Sequence, residues 1–191
     1  MQGKLILVIG PTGSGKSALL AHLRATMPNI IFPVSCTTRA PRPGEVEGEK
    51  YFFVTKGEFE RRQAAGDFLE WAQYGGNYYG TLKSQILPRM AESKLVVREV
   101  EVQGARQIEQ TIPKGQLGII FIDAGPWEHL ERRVRARAPM TEPELLARRK
   151  RYEDELTFLP RADRVVKNHD GGLEQAKADF VSAVGKLARA V

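Results

Sequence analysis

Short, unbroken apolar blocks alternate along this chain with stretches in which apolar residues recur every three or four positions. The blocks Leu5–Ile9, Leu95–Val100, Gly118–Ile122 and Arg164–Val166 have the length and β-branched content of buried strands. Helical periodicity covers Lys16–Met27, Leu82–Glu92, Val102–Thr111, Pro126–Arg135, Glu144–Leu159 and Leu173–Arg189. In the last of these, Leu173, Ala176, Phe180, Val184 and Leu187 fall on one face, the spacing of a helix packed on a core. Strands alternating with helices predict an α/β fold, a parallel sheet flanked by helices. Between Phe32 and about Asn77 the texture changes, and short runs such as Tyr51–Val54 and Phe68–Trp71 replace long helices. This segment predicts a small β-rich insertion with one short helix, opened by Thr55 and Glu58 as a capping box and ended at Gly66. A second irregular stretch, Ala136–Pro143, separates two arginine-bearing helices and predicts a mobile lid.

Composition narrows the class without naming a function. The 191 residues suit one domain with a sizeable core, and 42% hydrophobic with 27% charged residues is ordinary for a soluble protein. No apolar run reaches membrane-spanning length, and the first residues lack the apolar region of a signal peptide, so no membrane role and a cytoplasmic location are expected. A single cysteine, Cys36, excludes an internal disulfide or a cysteine metal cage. With 29 Lys and Arg against 23 Asp and Glu the net charge is +6. The arginines cluster at Arg39/Arg42 and from Arg132 to Arg151, with no long aromatic-interleaved tract, so the expected partner is a small polyphosphate rather than nucleic acid.

The segment GPTGSGKS, Gly10 to Ser17, carries the first specific chemistry. It follows a strand-like block and opens a helical pattern, the context a phosphate-binding P-loop requires. Glycines let the backbone curl so that successive N–H groups aim at phosphate oxygens, and the helix directs its positive end to the same place. Lys16 would reach the β- and γ-phosphates and Ser17 would hold Mg²⁺. The alternative, a glycine-rich turn before a helix, accounts for neither the spacing nor both flanks. The insertion adds a phosphate clamp beside a base reader. Arg39 and Arg42 carry planar forks that match phosphate, and Pro41 and Pro43 limit the freedom of their loop. Tyr51 and Tyr79 can donate to the same phosphate, and Glu70, acceptor-only between Leu69 and Trp71, suits the adjacent N1–H and N2–H₂ donors of guanine. Ser35 and Thr81 supply hydroxyls for guanine O6 or N7. Each has a plainer reading. The arginines can be solvated loop charges, Tyr78 and Tyr79 cross-strand aromatics, Glu70 a strand-edge charge, Ser35 a loop hydroxyl and Thr81 the N-cap of the next helix. The Arg132–Arg151 cluster can be a solvated helix face with pairs such as Glu128–Arg132.

Taken in order, GPTGSGKS, TTRAPRPGE, YFFV, FLEWA, GNYYGT and VQGAR resemble guanylate kinase from about Lys4 to Asn168. The resemblance implies the P-loop nucleoside monophosphate kinase fold and transfer of the γ-phosphoryl group of ATP to GMP or dGMP. It divides the chain into a core (1–34, 82–132 and 160–191), a GMP-binding insertion (35–81) and a helical lid (133–159). It implies ATP binding by Gly10, Pro11, Thr12, Gly13, Ser14, Gly15, Lys16, Ser17 and Ala18, with Arg133 and with Asn168 near the adenine. GMP falls to Ser35, Glu70 and Thr81 at the base, to Arg39, Arg42, Tyr51 and Tyr79 at the phosphate, and to Glu101. Ser17 and Glu101 flank Mg²⁺, and Lys16, Arg42, Arg137 and Arg148 act on the transferring phosphate. The expected assembly is a monomer or homodimer.

The chain departs from the family pattern at four places. Glu101 replaces the usual aspartate, Arg98 stands where the family strand has an apolar residue, Arg137-Ala138-Pro139 replaces a glycine-flanked arginine in the lid, and His169 interrupts an acidic pair. Arg98 has two readings. It reaches an acidic group or phosphate other than Glu99 and Glu101, which alternate to the opposite side, or it snorkels to solvent from a strand edge. Two further classes stay open: a non-catalytic guanylate-kinase-like module that binds phosphopeptides, and a related sugar-phosphate kinase.

Overall fold

Six consecutive residues of β1 (Lys4–Ile9) are all buried, as expected of a strand covered on both faces. The computed structural model describes residues 3–136 and 140–189. The elements following β1 are α1 (Lys16–Thr26), β2 (Ser35–Thr37), β3 (Tyr51–Phe53), α2 (Lys56–Ala64), β4 (Phe68–Tyr74), β5 (Asn77–Leu82), α3 (Lys83–Ala91), β6 (Leu95–Glu99), α4 (Val102–Thr111), β7 (Leu117–Asp123), α5 (Trp127–Arg135), α6 (Glu142–Leu156), β8 (Arg164–Lys167) and α7 (Leu173–Arg189). One sheet has the order β6-β1-β7-β8 and the other the order β3-β2-β5-β4. The α/β class is as the periodicity predicts.

The chain divides into two compact units. One comprises residues up to Leu5, Ile31–Arg98 and Gln103–Leu117, and the other Ile6–Ile30, Glu99–Val102 and Gly118 onward. In the second, β7 and β8 run parallel with Phe121 opposite Val165, and Phe180 and Val184 of α7 are fully buried. In the first, β2 pairs parallel with β3 and antiparallel with β5, which pairs antiparallel with β4. Successive side chains on these strands point to opposite faces. Cys36, Phe68 and Leu82 pack with Phe59 of α2 on one face, with Phe52, Trp71 and Tyr78 against them. Phe59 stacks on Phe68 at 4.3 Å and on Tyr78 at 5.2 Å between ring centroids. Ser35, Tyr51, Glu70, Tyr79 and Thr81 belong to the other face.

Several boundaries differ from the periodic reading. The helix expected over Glu144–Leu159 begins at Glu142, because the Glu144 carboxylate accepts from both the backbone N–H and the hydroxyl of Thr141, at 2.9 Å each. It ends at Leu156, before a 3-10 turn that contains Pro160. Thr55 caps α2 by accepting from Glu58 N–H at 3.2 Å, but the Glu58 carboxylate turns to Arg61 and Arg62, so only half of the capping box forms. Thr81 does not cap α3. Leu82 holds the N-cap position, and Thr81 lies buried within β5. Of the expected lid stretch, Arg137, Ala138 and Pro139 lie outside the described residues.

Replacing Phe59 with alanine is expected to lower stability by about 3–5 kcal/mol, since it opens a cavity under one face of the small sheet. Urea unfolding followed by circular dichroism measures this, and an unchanged midpoint would show that α2 does not support the sheet.

Candidate active site

The loop from Gly10 to Gly15 is braced from several sides. Gly15 takes φ +89°, and a Cβ there would lie 2.3 Å from Asn168 Nδ2, so no other residue fits without moving that side chain. Asn168, 4% exposed, donates through Nδ2 to the Ser14 carbonyl at 2.7 Å. Arg133 of α5 donates to the Asn168 carbonyl at 2.9 Å and to the Gly13 carbonyl at 3.4 Å, and ion-pairs with Asp170 at 2.9 Å. Gly15 caps α1 with no side-chain bond, and no acidic residue lies in the first turn, so the N–H groups at the start of this helix are open to an anion. Lys16 folds back on the loop. Its Nζ donates to the carbonyls of Gly10 and, at 3.1 Å, of Pro11, and lies 3.6 Å from Glu99 Oε1. Ser17 and Ala18 are exposed on α1.

Residues of α5 and α6 face the same loop. Pro11 and Thr12 line a small cleft with Trp127, Leu130, Arg148, Tyr152 and Glu155. Arg148 makes no hydrogen bond or ion pair among the described residues. The Glu155 carboxyl is pushed up to about 7, chiefly because burial disfavours its charge. Lys16 opposes the shift and Glu101 adds to it. Glu155 carried no motif signal, and only its packing marks it. Arg132 binds Asp170 rather than Glu128. Among the departures, His169 contacts Asp123 at 3.2 Å. Arg137 lies outside the described residues.

Glu101 is exposed in the turn before α4, and neither its carboxylate nor the Ser17 hydroxyl has a protein partner among the described residues. Mg²⁺ takes hard oxygen donors, and at a phosphate site it needs only one or two of them from protein. These two oxygen-bearing groups fit that requirement.

In the other unit, the residues expected at the acceptor base meet on the polar face of the small sheet. A bulge between Phe68 and Glu70 inserts Leu69 and sets Glu70 opposite Thr81. Glu70 is 7% exposed, and its Oε1 accepts from Thr81 Oγ1 at 2.5 Å. A Cβ on Gly104 would lie 2.8 Å from Glu70 Oε2, which explains the glycine of VQGAR as room for this carboxylate. Gln107 closes the edge strand, with its amide accepting from Trp71 N–H at 3.1 Å and donating to Trp71 C=O at 2.8 Å. Arg98 donates through Nη2 to the Ser35 hydroxyl and lies 3.7 Å from Glu70 Oε1, so it reaches an acidic group and does not snorkel to solvent.

The arginine loop follows β2. Arg39 binds Glu45 through two parallel bonds of 2.9 and 3.0 Å and lies over the Tyr51 and Phe53 rings at 5.4 and 5.7 Å. The Tyr79 side chain lies near enough to help raise the Arg39 guanidinium, and its ring meets Tyr51 edge-on at 6.0 Å. The Arg39 fork and the Arg42 backbone N–H together hold the Glu45 carboxyl down at about 2. Arg42 is exposed, and its guanidinium has no partner among the described residues. Glu45, Glu99, Gln107 and Glu155 were not marked as functional by sequence reasoning. Glu45 stands in the motif TTRAPRPGE, but pairing with Arg39 is a feature of the folded loop.

A family model for guanylate kinase matches residues 2–185. The chain belongs to the guanylate kinase family. A guanylate kinase of Trichormus variabilis is 42% identical over 168 residues, 88% of this chain and 83% of that protein. One of Synechocystis is 40% identical over 186 residues, 97% and 95% of the two chains. The crystal structure of guanylate kinase from Anaplasma phagocytophilum superposes with a TM-score of 0.75 at 25% identity, covering 98% of this chain and 87% of that one. The family's enzymes are nucleoside monophosphate kinases that transfer phosphoryl groups from ATP to GMP, and this membership does not favour the phosphopeptide-module or sugar-phosphate readings. Among the described residues no helix is long and apolar enough to cross a membrane.

The raised Glu155 carboxyl carries a pH dependence. Between its ordinary 4.5 and about 7, the folded chain holds a proton that the unfolded chain has released. The associated stability is fully present below pH about 4.5 and is lost as pH rises through about 7. Glu155→Gln is therefore expected to raise the melting temperature more at pH 8 than at pH 5.5. Equal shifts at both pH values would show that Glu155 titrates normally.

Proposed function

We propose that this chain phosphorylates GMP with ATP, using the P-loop unit for the donor and the polar face of the small sheet for the acceptor. The observation that carries this reading is the convergence of Glu70, Thr81 and Ser35, all at least nine-tenths buried, on one sheet face, in the same unit as the arginine–tyrosine cluster of Arg39, Tyr51 and Tyr79. A buried acceptor-only carboxylate, held by the Thr81 hydroxyl and beside the Ser35 hydroxyl, complements the N1–H, N2–H₂ and O6 pattern of guanine.

Phosphoryl transfer needs alignment, neutralised charge and exclusion of water more than covalent help. In this reading the open N–H groups before α1 cradle the ATP phosphates, and Lys16 leaves the Gly10 and Pro11 carbonyls to reach the β- and γ-oxygens. Ser17 and Glu101 would hold Mg²⁺, which would supply neutralisation of phosphate charge there. Arg39, Arg42, Tyr51 and Tyr79 hold the GMP phosphate, with Glu45 yielding its place on Arg39 to the incoming anion. Arg148 and Arg137, from the lid segment 133–159, complete the positive charge around the transferring group, and Arg133 and Asn168 keep the loop in shape beside the adenine. The partition into core, GMP-binding insertion 35–81 and lid belongs to this proposal, as does a cytoplasmic enzyme, monomeric or homodimeric, with ATP and GMP as its small-molecule partners.

The test is ADP release from ATP and Mg²⁺ with GMP, AMP, CMP, UMP or ribose 1,5-bisphosphate as acceptor. Turnover with GMP well above the others is expected, and none with GMP would overturn the proposal. Glu70→Gln should lower kcat/KM for GMP by roughly 10²-fold or more and leave the KM for ATP unchanged, because it sets a donor against guanine's donors. Equal losses for both nucleotides would make Glu70 structural.

A further inference from the structure

The Arg98 guanidinium lies beside Ser35 and Glu70, two of the groups proposed to read the base. Its side chain is only 21% exposed. Nη2 donates to Ser35 Oγ, Nε is buried with no hydrogen-bond partner, and Nη1 has no partner among the described residues. The nearest opposite charge, Glu70 Oε1, is 3.7 Å away, beyond hydrogen-bond reach. An arginine placed only to hold a carboxylate closes on it as a bidentate fork, as Arg39 does on Glu45 in this same unit. Arg98 does not. It turns toward Ser35 and leaves Nε and Nη1 without a hydrogen bond among the described residues.

We infer that Arg98 is a specificity-determining residue of the acceptor pocket, reading the 6-carbonyl of the purine. This rests on the assignment of Glu70, Ser35 and Thr81 to the base and extends it. Side by side, Glu70 offers an acceptor and Arg98 a donor. Guanine presents the complement along one edge, with N1–H to Glu70 and O6 to Arg98. Adenine inverts both positions: its N1 is an acceptor facing the carboxylate, and its 6-amino group is a donor facing the guanidinium. The two reversals add, because each leaves buried like-for-like groups opposed. Arg98 also fixes the sense of Ser35. The hydroxyl oxygen accepts from Nη2, so its proton is left to donate to the base, which again favours an acceptor there. Thr81, already donating to Glu70 Oε1, leaves Oε2 for the 2-amino group.

Steady-state kinetics with GMP, IMP and AMP test this in Arg98→Leu, with Arg98→Met as the second apolar variant and circular dichroism to confirm that both fold. IMP keeps the 6-carbonyl and lacks only the 2-amino group. Both variants are expected to lose about 10- to 100-fold in kcat/KM for GMP and for IMP alike, the weight of one charge-assisted hydrogen bond. The preference for GMP over AMP should fall by the same factor, while the preference for GMP over IMP and the KM for ATP stay as in the unsubstituted enzyme. A GMP-to-AMP preference unchanged within twofold overturns the inference. So does a loss that appears in the GMP-to-IMP preference, which would make Arg98 a prop for Glu70. Failure of the unsubstituted enzyme to use GMP would overturn the underlying function itself, and that outcome is separable from either of these.

Discussion

The alternation of side chains across the small four-stranded sheet governs the unit that holds Glu70 and Arg39. Cys36, Phe68, Tyr78 and Leu82 turn to one face, where Phe59 covers them. Their neighbours Ser35, Tyr79 and Thr81 must then turn to the other. Apolar burial on one side thus presents the polar groups on the opposite side without any separate device. The one adjustment is the bulge at Leu69, which brings the Glu70 carboxylate opposite Thr81. A one-residue slip in register would exchange the two faces and lose both the core and the reader.

A second theme is that the cations proposed to meet phosphate are held by carboxylates within the fold. Lys16 lies beside Glu99, Arg39 is clamped by Glu45, and Arg133 by Asp170. In a chain of net charge +6 these pairs reduce the repulsion that clustered cations bring to a site before its anionic ligand arrives. They also set geometry: Glu45 keeps Arg39 flat over Tyr51, and Asp170 keeps Arg133 against the Gly13 and Asn168 carbonyls. Arg42 and Arg148 feel only the charge of nearby Glu45 and Glu144 and make no side-chain hydrogen bond among the described residues.

Much of this was legible from local pattern. The P-loop could be read because its chemistry resides in the backbone of eight consecutive residues, and strand and helix flanks are periodic. The strands β1, β6, β7 and β8 lie within one or two residues of the blocks that predicted them, and in β1 and β7 burial on both faces writes itself as an unbroken apolar run. Local pattern misled where a residue had two competing partners. Thr81 had the position of a helix cap and a buried carboxylate across the strand, and the carboxylate won because an unsatisfied buried Glu70 is costly while the first N–H of α3, on Lys83, is already satisfied by the Asp67 carbonyl at 2.8 Å. Glu58 likewise chose two arginines on its own helix over the cap.

By itself, the sequence determined the class of fold and the family, because both are written in spacings along short segments. Only the tertiary structure decided which carboxylate faces which cation. Glu99 meets Lys16 and Arg98 meets Ser35 and Glu70 across gaps of tens of residues. Nothing in local periodicity distinguishes Arg98 from a solvated strand-edge charge. That distinction comes from strand order and register, which are set by the burial of the whole core and leave an arginine among the groups that would read a purine.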